Sequence, residues 1–282
     1  MATALASAKT TDRARRVTET TAAVAIWIAL GFACHMTVSQ YQLTGVVLVF
    51  LFQLFVRRKP LQALWLRDAP AFRLDGWGWA LALVLAADPI FHVVKDLRSG
   101  DSLFRVLAHT AAVAGALPAA FVFRRFDRAT ARAMLLCLGF PGSLGTCMML
   151  VSAFGAHHLA SRSLAKRLLI WGDTILLYLP ILFVFEEVSF RGAFDSHLQH
   201  PGEPHPWLSA LWISVLWGLW HVPVTLGTAS LPIVVLNDVI VSCLMGVPLS
   251  MWWRRTGNLA VPGVTHAFVD AVRNALMVIS FR

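Results

Sequence analysis

The sequence predicts an all-α fold, a polytopic transmembrane helical bundle of about eight to nine membrane helices. Three observations carry that expectation: 57% of the 282 residues are hydrophobic, only 14% are charged, and apolar stretches of membrane-spanning length recur along the whole chain. A span needs roughly 20 mostly apolar residues, because a rise of about 1.5 Å per residue must cross a hydrocarbon core about 30 Å thick.

In chain order the candidate spans are 21–38, 42–56, 77–95, 103–123, 133–155, 168–198, 207–224, 230–253 and 258–279. The tail before the first, residues 1–20, is polar and basic. No small-residue cleavage site follows the first apolar run, so that run is expected to stay as an anchor. The second run is short and is expected to re-enter the membrane or to form a hairpin with the first. Residues 57–76 are the longest polar interruption beyond the tail. With no internal repeat or low-complexity tract, one membrane domain is expected. It divides into the tail over 1–20, N-terminal helices over 21–167, and a core over 168–282 where intramembrane ionisable groups concentrate. Cys34, Cys137, Cys147 and Cys243 lie in apolar runs without CxxC spacing and read as small buried residues.

The formal net charge of +9 would suggest nucleic acid in a soluble chain. Here its distribution reads as membrane orientation, and no nucleic-acid partner is expected. A cytoplasmic N-terminus places the basic groups at 9–16, 57–73, 124–132 and 254–255 on one side, which is most of the 24 lysines and arginines. The cluster at 162–167 runs against that orientation. The expected location is an integral, multi-pass membrane protein, in the plasma (inner) membrane if the source is bacterial.

Glu186 and Glu187 interrupt the apolar run from Tyr178 to Phe190. Carboxylates inside a membrane helix are expensive and persist where they face a protein interior, find a partner or do chemistry. Arg191 stands four residues after Glu187, the favourable order for an ion pair on one helical face. Glu186 lies about 100° around the helix and has no such partner, so it is the freer carboxylate.

Two later helices carry further candidates. In Trp217-Gly-Leu-Trp-His221-Val-Pro223 a histidine follows a tryptophan by one turn. In Pro262-Gly-Val-Thr-His266-Ala-Phe-Val-Asp270 a histidine and an aspartate share one face. Each alone has an ordinary reading: an interfacial histidine, a self-neutralising pair, an ion pair holding two helices together. Together, each on its own hydrophobic helix, they form a constellation.

That constellation resembles the CPBP family, also called Abi, which comprises the CAAX prenyl endopeptidases and bacterial relatives implicated in bacteriocin processing and immunity. The resemblance covers about 177–275, including the approach Trp252-Trp-Arg-Arg-Thr-Gly-Asn-Leu-Ala-Val-Pro262. It implies an intramembrane endopeptidase in which Glu186 is the general base and His221 its partner in activating water. It further implies that Arg191 pairs with Glu187, and that His266 and Asp270 stand where the family stabilises the oxyanion. Asp270 departs from the commoner Asn. A carboxylate donates a hydrogen bond only when protonated, so Asp270 is held neutral, orients His266 or binds a metal, and the sequence leaves all three open. The implied partners are the lipid bilayer and a membrane-associated peptide or protein substrate. The tryptophans 207, 212, 217 and 220 suit apolar substrate walls and equally suit packing.

Depth constrains the first motif. If its helix ended at Phe190, Glu186 would sit at the boundary, roughly 20 Å from His221 across the bilayer. Continuing the embedded helix through Leu198 brings Glu186 towards the middle, and Pro180 permits a kink upstream. No cofactor is expected. A rival reading makes Glu186, His221, His266 and Asp270 ligands of zinc or another divalent metal, without His-Glu-x-x-His spacing. A second rival is a transporter or non-catalytic scaffold, although no matching halves with interrupted helices are visible.

Overall fold

Among the residues described by the computed structural model (2–69, 71–155, 160–200 and 203–277), every regular element is a helix. The N-terminal part contains α1 (Ala2–Ala33), α2 (Val38–Leu51), α3 (Gly76–Ser99), α4 (Leu103–Phe123), α5 (Arg128–Cys137) and α6 (Ser143–Gly155). The C-terminal part contains α7 (Leu164–Leu182), the short α8 (Ser196–Leu198), α9 (Pro206–Thr225), α10 (Leu231–Thr256) and α11 (Ala260–Leu276).

Seven segments are long and apolar enough to cross a membrane, including Asp12–Ala33, Val38–Val56 and Arg128–Val151. The second anticipated run is thus a full-length candidate span, because a π-helical turn over Phe52–Val56 extends α2. The other two expected spans fall outside that set. α7 carries Lys166, Arg167 and Asp173, and α11 is only 17 residues long. Both nevertheless pack into the bundle, against one another and against α4.

The helices start where local chemistry supplies caps. Thr37 and Gln40 form a reciprocal capping box at α2, and the carboxylate of Asp75 accepts from the amide of Gly78 at the start of α3. These side chains satisfy amides that have no partner in the first turn. Gly257, at φ 63°, ends α10; the left-handed conformation there costs glycine nothing. The Asn258 side chain then accepts from the Ala260 amide and starts α11.

Long-range contacts define the two faces of the bundle. On one face Arg13 pairs with Glu203 at 3.0 Å, His197 meets Glu19 at 2.8 Å, and Asn258 donates to the Val122 carbonyl. On the other face Tyr41 donates to the Trp220 carbonyl, and Arg162 donates to the Asn274 carbonyl at 2.8 Å. The basic 162–167 cluster that ran against the orientation is therefore partly committed to backbone: Arg162 and Arg167 reach carbonyls near the C-terminus of α11 and at Ala160. A cation is favourable beside the negative end of a helix.

Several expectations are corrected. Of the four cysteines only Cys137 is buried; Cys243 is intermediate, and Cys34 and Cys147 are exposed on the protein surface. Arg254, counted among the basic groups of the cytoplasmic side, is buried against Asp195 with contacts of 2.5–3.1 Å. The polar interruption after residue 57 is partly interior: Leu64 and Trp65 are buried, and Leu66 bridges to Asn258. Within residues 1–167, α3 and α4 bring Asp88, His92, Asp96 and His109 together.

Candidate active site

The continuous helix expected over 168–198 is broken. α7 stops at Leu182, and the chain turns through Phe183–Phe185. The freed carbonyl of Phe183 accepts a hydrogen bond from the Trp65 indole at 2.6 Å. A new helix begins at Glu186, continues in π form over Val188–Asp195 and finishes as α8. A π-helix closes i→i+5 bonds and occurs frequently at functional sites.

This segment is pinned along its length. At Gly192 an added Cβ would stand 2.2 Å from the Leu64 carbonyl oxygen, so only glycine allows the approach. The Gly192 carbonyl accepts from Arg57 at 2.8 Å. Asp195, at the far end, is held by Arg254. The segment runs separately from α7 to the face of His197 and Glu19, and it sets Glu186 beside His221 rather than roughly 20 Å from it.

All seven residues singled out in the sequence come together. Glu186 Oε2 lies 3.6 Å from His221 Nε2 and 4.0 Å from His266 Nε2, and it accepts from the Trp217 indole at 3.1 Å. His221 Nδ1 bonds the Trp217 carbonyl at 2.8 Å. A carbonyl only accepts, so Nδ1 carries the hydrogen and Nε2 faces Glu186. Trp217 thereby positions both partners, one through its side chain and one through its backbone. Trp217 and Trp220 are buried, whereas Trp207 and Trp212 lie on the outer surface of the bundle.

Glu187 has a different environment. Its Oε1 accepts from His266 Nδ1 at 2.9 Å, and its Oε2 is 3.6 Å from Arg191 Nε. The expected ion pair is present, but the hydrogen bond of Glu187 goes to a histidine on another helix. The Arg191 guanidinium makes no hydrogen bond and lies 4.7 Å over the Trp217 ring, a cation–π contact. Asp270 Oδ2 is 3.6 Å from His266 Nε2, while its Oδ1 meets Arg273 Nη1 at 2.9 Å.

Arg273 is the member that sequence reasoning left unassigned. The signal was available, since a cation three residues after Asp270 shares its helical face. Exposure divides the set: the side chains of His221 and Glu186 are 27% and 16% accessible, against 1% for Glu187 and 0% for Arg191. The four alternative metal ligands do not all converge. Among the described residues the group whose ligand atoms lie within 4.8 Å of one another is a different one, on α3 and α7.

A glutamate and two histidines on three helical segments, embedded in a bundle of seven candidate spans, define a helical membrane protein with an interior Glu–His centre. Residues 168–272 match the family model described as Type II CAAX prenyl endopeptidase Rce1-like. That model is one of the CPBP, or Abi, family, a protease family, and what it shows is similarity over this segment; the seven candidate spans make the protein an integral, multi-pass membrane protein. Every site residue from Glu186 to Asp270 lies inside the match, and Arg273 follows it by one position. Comparison with curated proteins and with solved structures gave no match.

Proposed function

We propose that the protein is an intramembrane endopeptidase that hydrolyses a peptide bond in a hydrophobic or membrane-associated substrate with water activated by Glu186 and His221. One observation carries this reading: of the seven residues singled out in the sequence, the two most accessible, His221 and Glu186, face each other at 3.6 Å. Glu187 and Arg191, fully buried, hold the segment. Glu186 takes a proton from water as the oxygen attacks the scissile carbonyl, and returns it to the amine as the C–N bond breaks.

Three carboxylates face two guanidinium groups here, so one further proton balances the set. On this reading His266, between Glu187 and Asp270, holds it and presents Nε2–H to the oxyanion. Asp270, ion-paired with Arg273, orients His266 and is not itself the neutral donor. No metal enters this scheme. The reading also places the N-terminus on the cytoplasmic side, supported by the shared face of Arg13, Arg57 and Arg254, and the protein in the plasma (inner) membrane if bacterial.

The test compares membranes containing wild-type protein with membranes containing Glu186→Gln, looking by proteomics for new peptide termini, and measures the metal bound to each protein by elemental mass spectrometry. Termini that depend on Glu186 are expected, with no ion that depends on it. Identical termini in both membranes overturn the assignment of the base, and an ion that elemental mass spectrometry finds in wild type and not in Glu186→Gln overturns the metal-free scheme.

A further inference from the structure

A second set of ligand-type side chains lies apart from the active site. α3 carries Asp88, His92 and Asp96 at four-residue intervals, hence on one face. α4 contributes His109 and α7 contributes Asp173. His92 Nε2 lies 3.7 Å from Asp88 Oδ2 and 3.4 Å from Asp173 Oδ1. These three ligand atoms are all within 4.8 Å of one another. Behind them the His109 ring packs 5.2 Å from His92, and His109 Nδ1 bonds Asp96 Oδ2 at 2.6 Å.

His92 Nε2 and Asp173 Oδ1 are within hydrogen-bond reach at 3.4 Å, but ordinary hydrogen bonding does not account for Asp88. At 3.7 Å the Asp88–His92 contact is too long for a hydrogen bond, and Asp88 Oδ2 is buried without any hydrogen-bond partner. The ion-pair contacts of Asp88 and Asp173 are with His92, not with lysine or arginine. Two carboxylates converging on one imidazole among apolar helices leave negative charge uncompensated, a costly arrangement. A dication would neutralise both. Tetrahedral zinc with bonds of about 2.0–2.2 Å sets its ligand atoms roughly 3.3–3.6 Å apart, close to the two spacings at His92, 3.7 and 3.4 Å. Nitrogen with carboxylate oxygen is a donor set for a first-row divalent metal.

We infer that Asp88, His92 and Asp173 form a binding site for a divalent transition metal of the zinc class, joining α3 to α7. Asp173 lies on the helix that leads through Leu182 to Glu186, so the ion would brace the helix from which the catalytic segment departs. Three protein ligands leave a fourth position for water. The Asp96–His109 pair holds the ring that packs against His92.

The test uses full-length protein purified in detergent, stripped with chelator and dialysed against zinc ions, with bound metal measured by elemental mass spectrometry and thermal unfolding followed in parallel. One zinc per chain and a raised melting temperature are expected, with a tetrahedral absorption spectrum on cobalt substitution. Asp173→Asn alters a side chain that is 52% exposed, so the fold should be spared while zinc affinity falls at least tenfold; His92→Gln should behave alike. Glu186→Gln should keep the metal, which separates this site from any ion at the active site and from the fate of the proposed proteolysis. Metal-free wild type after dialysis, undiminished affinity in both Asp173→Asn and His92→Gln, or loss of zinc in Glu186→Gln would each overturn the inference.

Discussion

Glu187, Asp195 and Asp270, in the C-terminal half, each face a guanidinium group, from Arg191, Arg254 and Arg273 respectively. Asp88 and Asp96, on α3, have their ion-pair contacts with imidazoles. Within the C-terminal half Glu186 departs from the local pattern, since its ion-pair contacts are the two histidines. An arginine partner fixes a carboxylate as structure, by neutralising it and orienting it. A carboxylate beside imidazoles keeps its lone pairs available for a proton or a cation. On the proposed function, the pairing separates residues that hold the bundle from residues that act.

That division breaks most visibly at Glu186. Glu186→Gln is expected to lower proteolysis by about 10²–10⁴-fold, the usual contribution of a general base, while leaving thermal unfolding in detergent unchanged. His221→Ala should fall in the same range. A well-folded Glu186→Gln protein with wild-type turnover would end the assignment.

The neighbouring glutamate should give the opposite result. Glu187→Gln leaves the fully buried Arg191 guanidinium without its carboxylate, which costs about 3–5 kcal/mol. Melting experiments should show a large loss of stability, with activity falling only as far as the segment is displaced. Equal melting temperatures for Glu187→Gln and wild type would show that the pair does not hold the fold.

A smaller effect sharpens the comparison at Asp270. Asp270→Asn and Arg273→Gln should each reduce kcat by about tenfold, and the double variant should recover part of that loss, because contacting charges couple by about 0.5–3 kcal/mol. Additive losses would mean that Arg273 does not act through Asp270.

The smallest effect lies outside the membrane. Asp75 caps α3 and pairs with Arg124, and these contacts hold its carboxyl down at about 2. A depressed folded-state value means that the contribution to stability is fully present above the ordinary carboxylate value near 4 and is lost as pH falls towards 2. Acid unfolding of Asp75→Asn should therefore depend less on pH across that window, with only a slight change at neutral pH.

Much of the bundle was legible because hydropathy alone marks apolar spans, and the boundaries of α4 were anticipated to the residue. The three motifs were legible because each is local: Glu187 to Arg191, Trp217 to His221 and His266 to Asp270 all fall one helical turn apart. What escaped was non-local. The Glu187–His266 hydrogen bond joins two helices far apart in sequence, and no spacing rule reports it. The break at Phe183–Phe185 depends on the Trp65 indole, which arrives from a stretch read as an exposed interruption. Asp88 and His92 lay within an anticipated span, but Asp173 sits on another helix and their convergence is tertiary.

The π-helical stretch between Glu187 and Asp195 has a consequence for how this sequence can change. A helix turns by about a quarter-turn per residue, less in π than in α form, and here one end of the stretch adjoins Glu186, the proposed base, while the other is clamped by Arg254. Removing a single residue from the stretch would rotate Glu186 by about a quarter-turn relative to that clamp and carry it away from His221. The exchange of one apolar side chain for another along the lipid-facing helices leaves this registration untouched. The distance in residues from Glu186 to Asp195 thus works as a ruler, and insertions or deletions in it are a harsher class of mutation than substitutions.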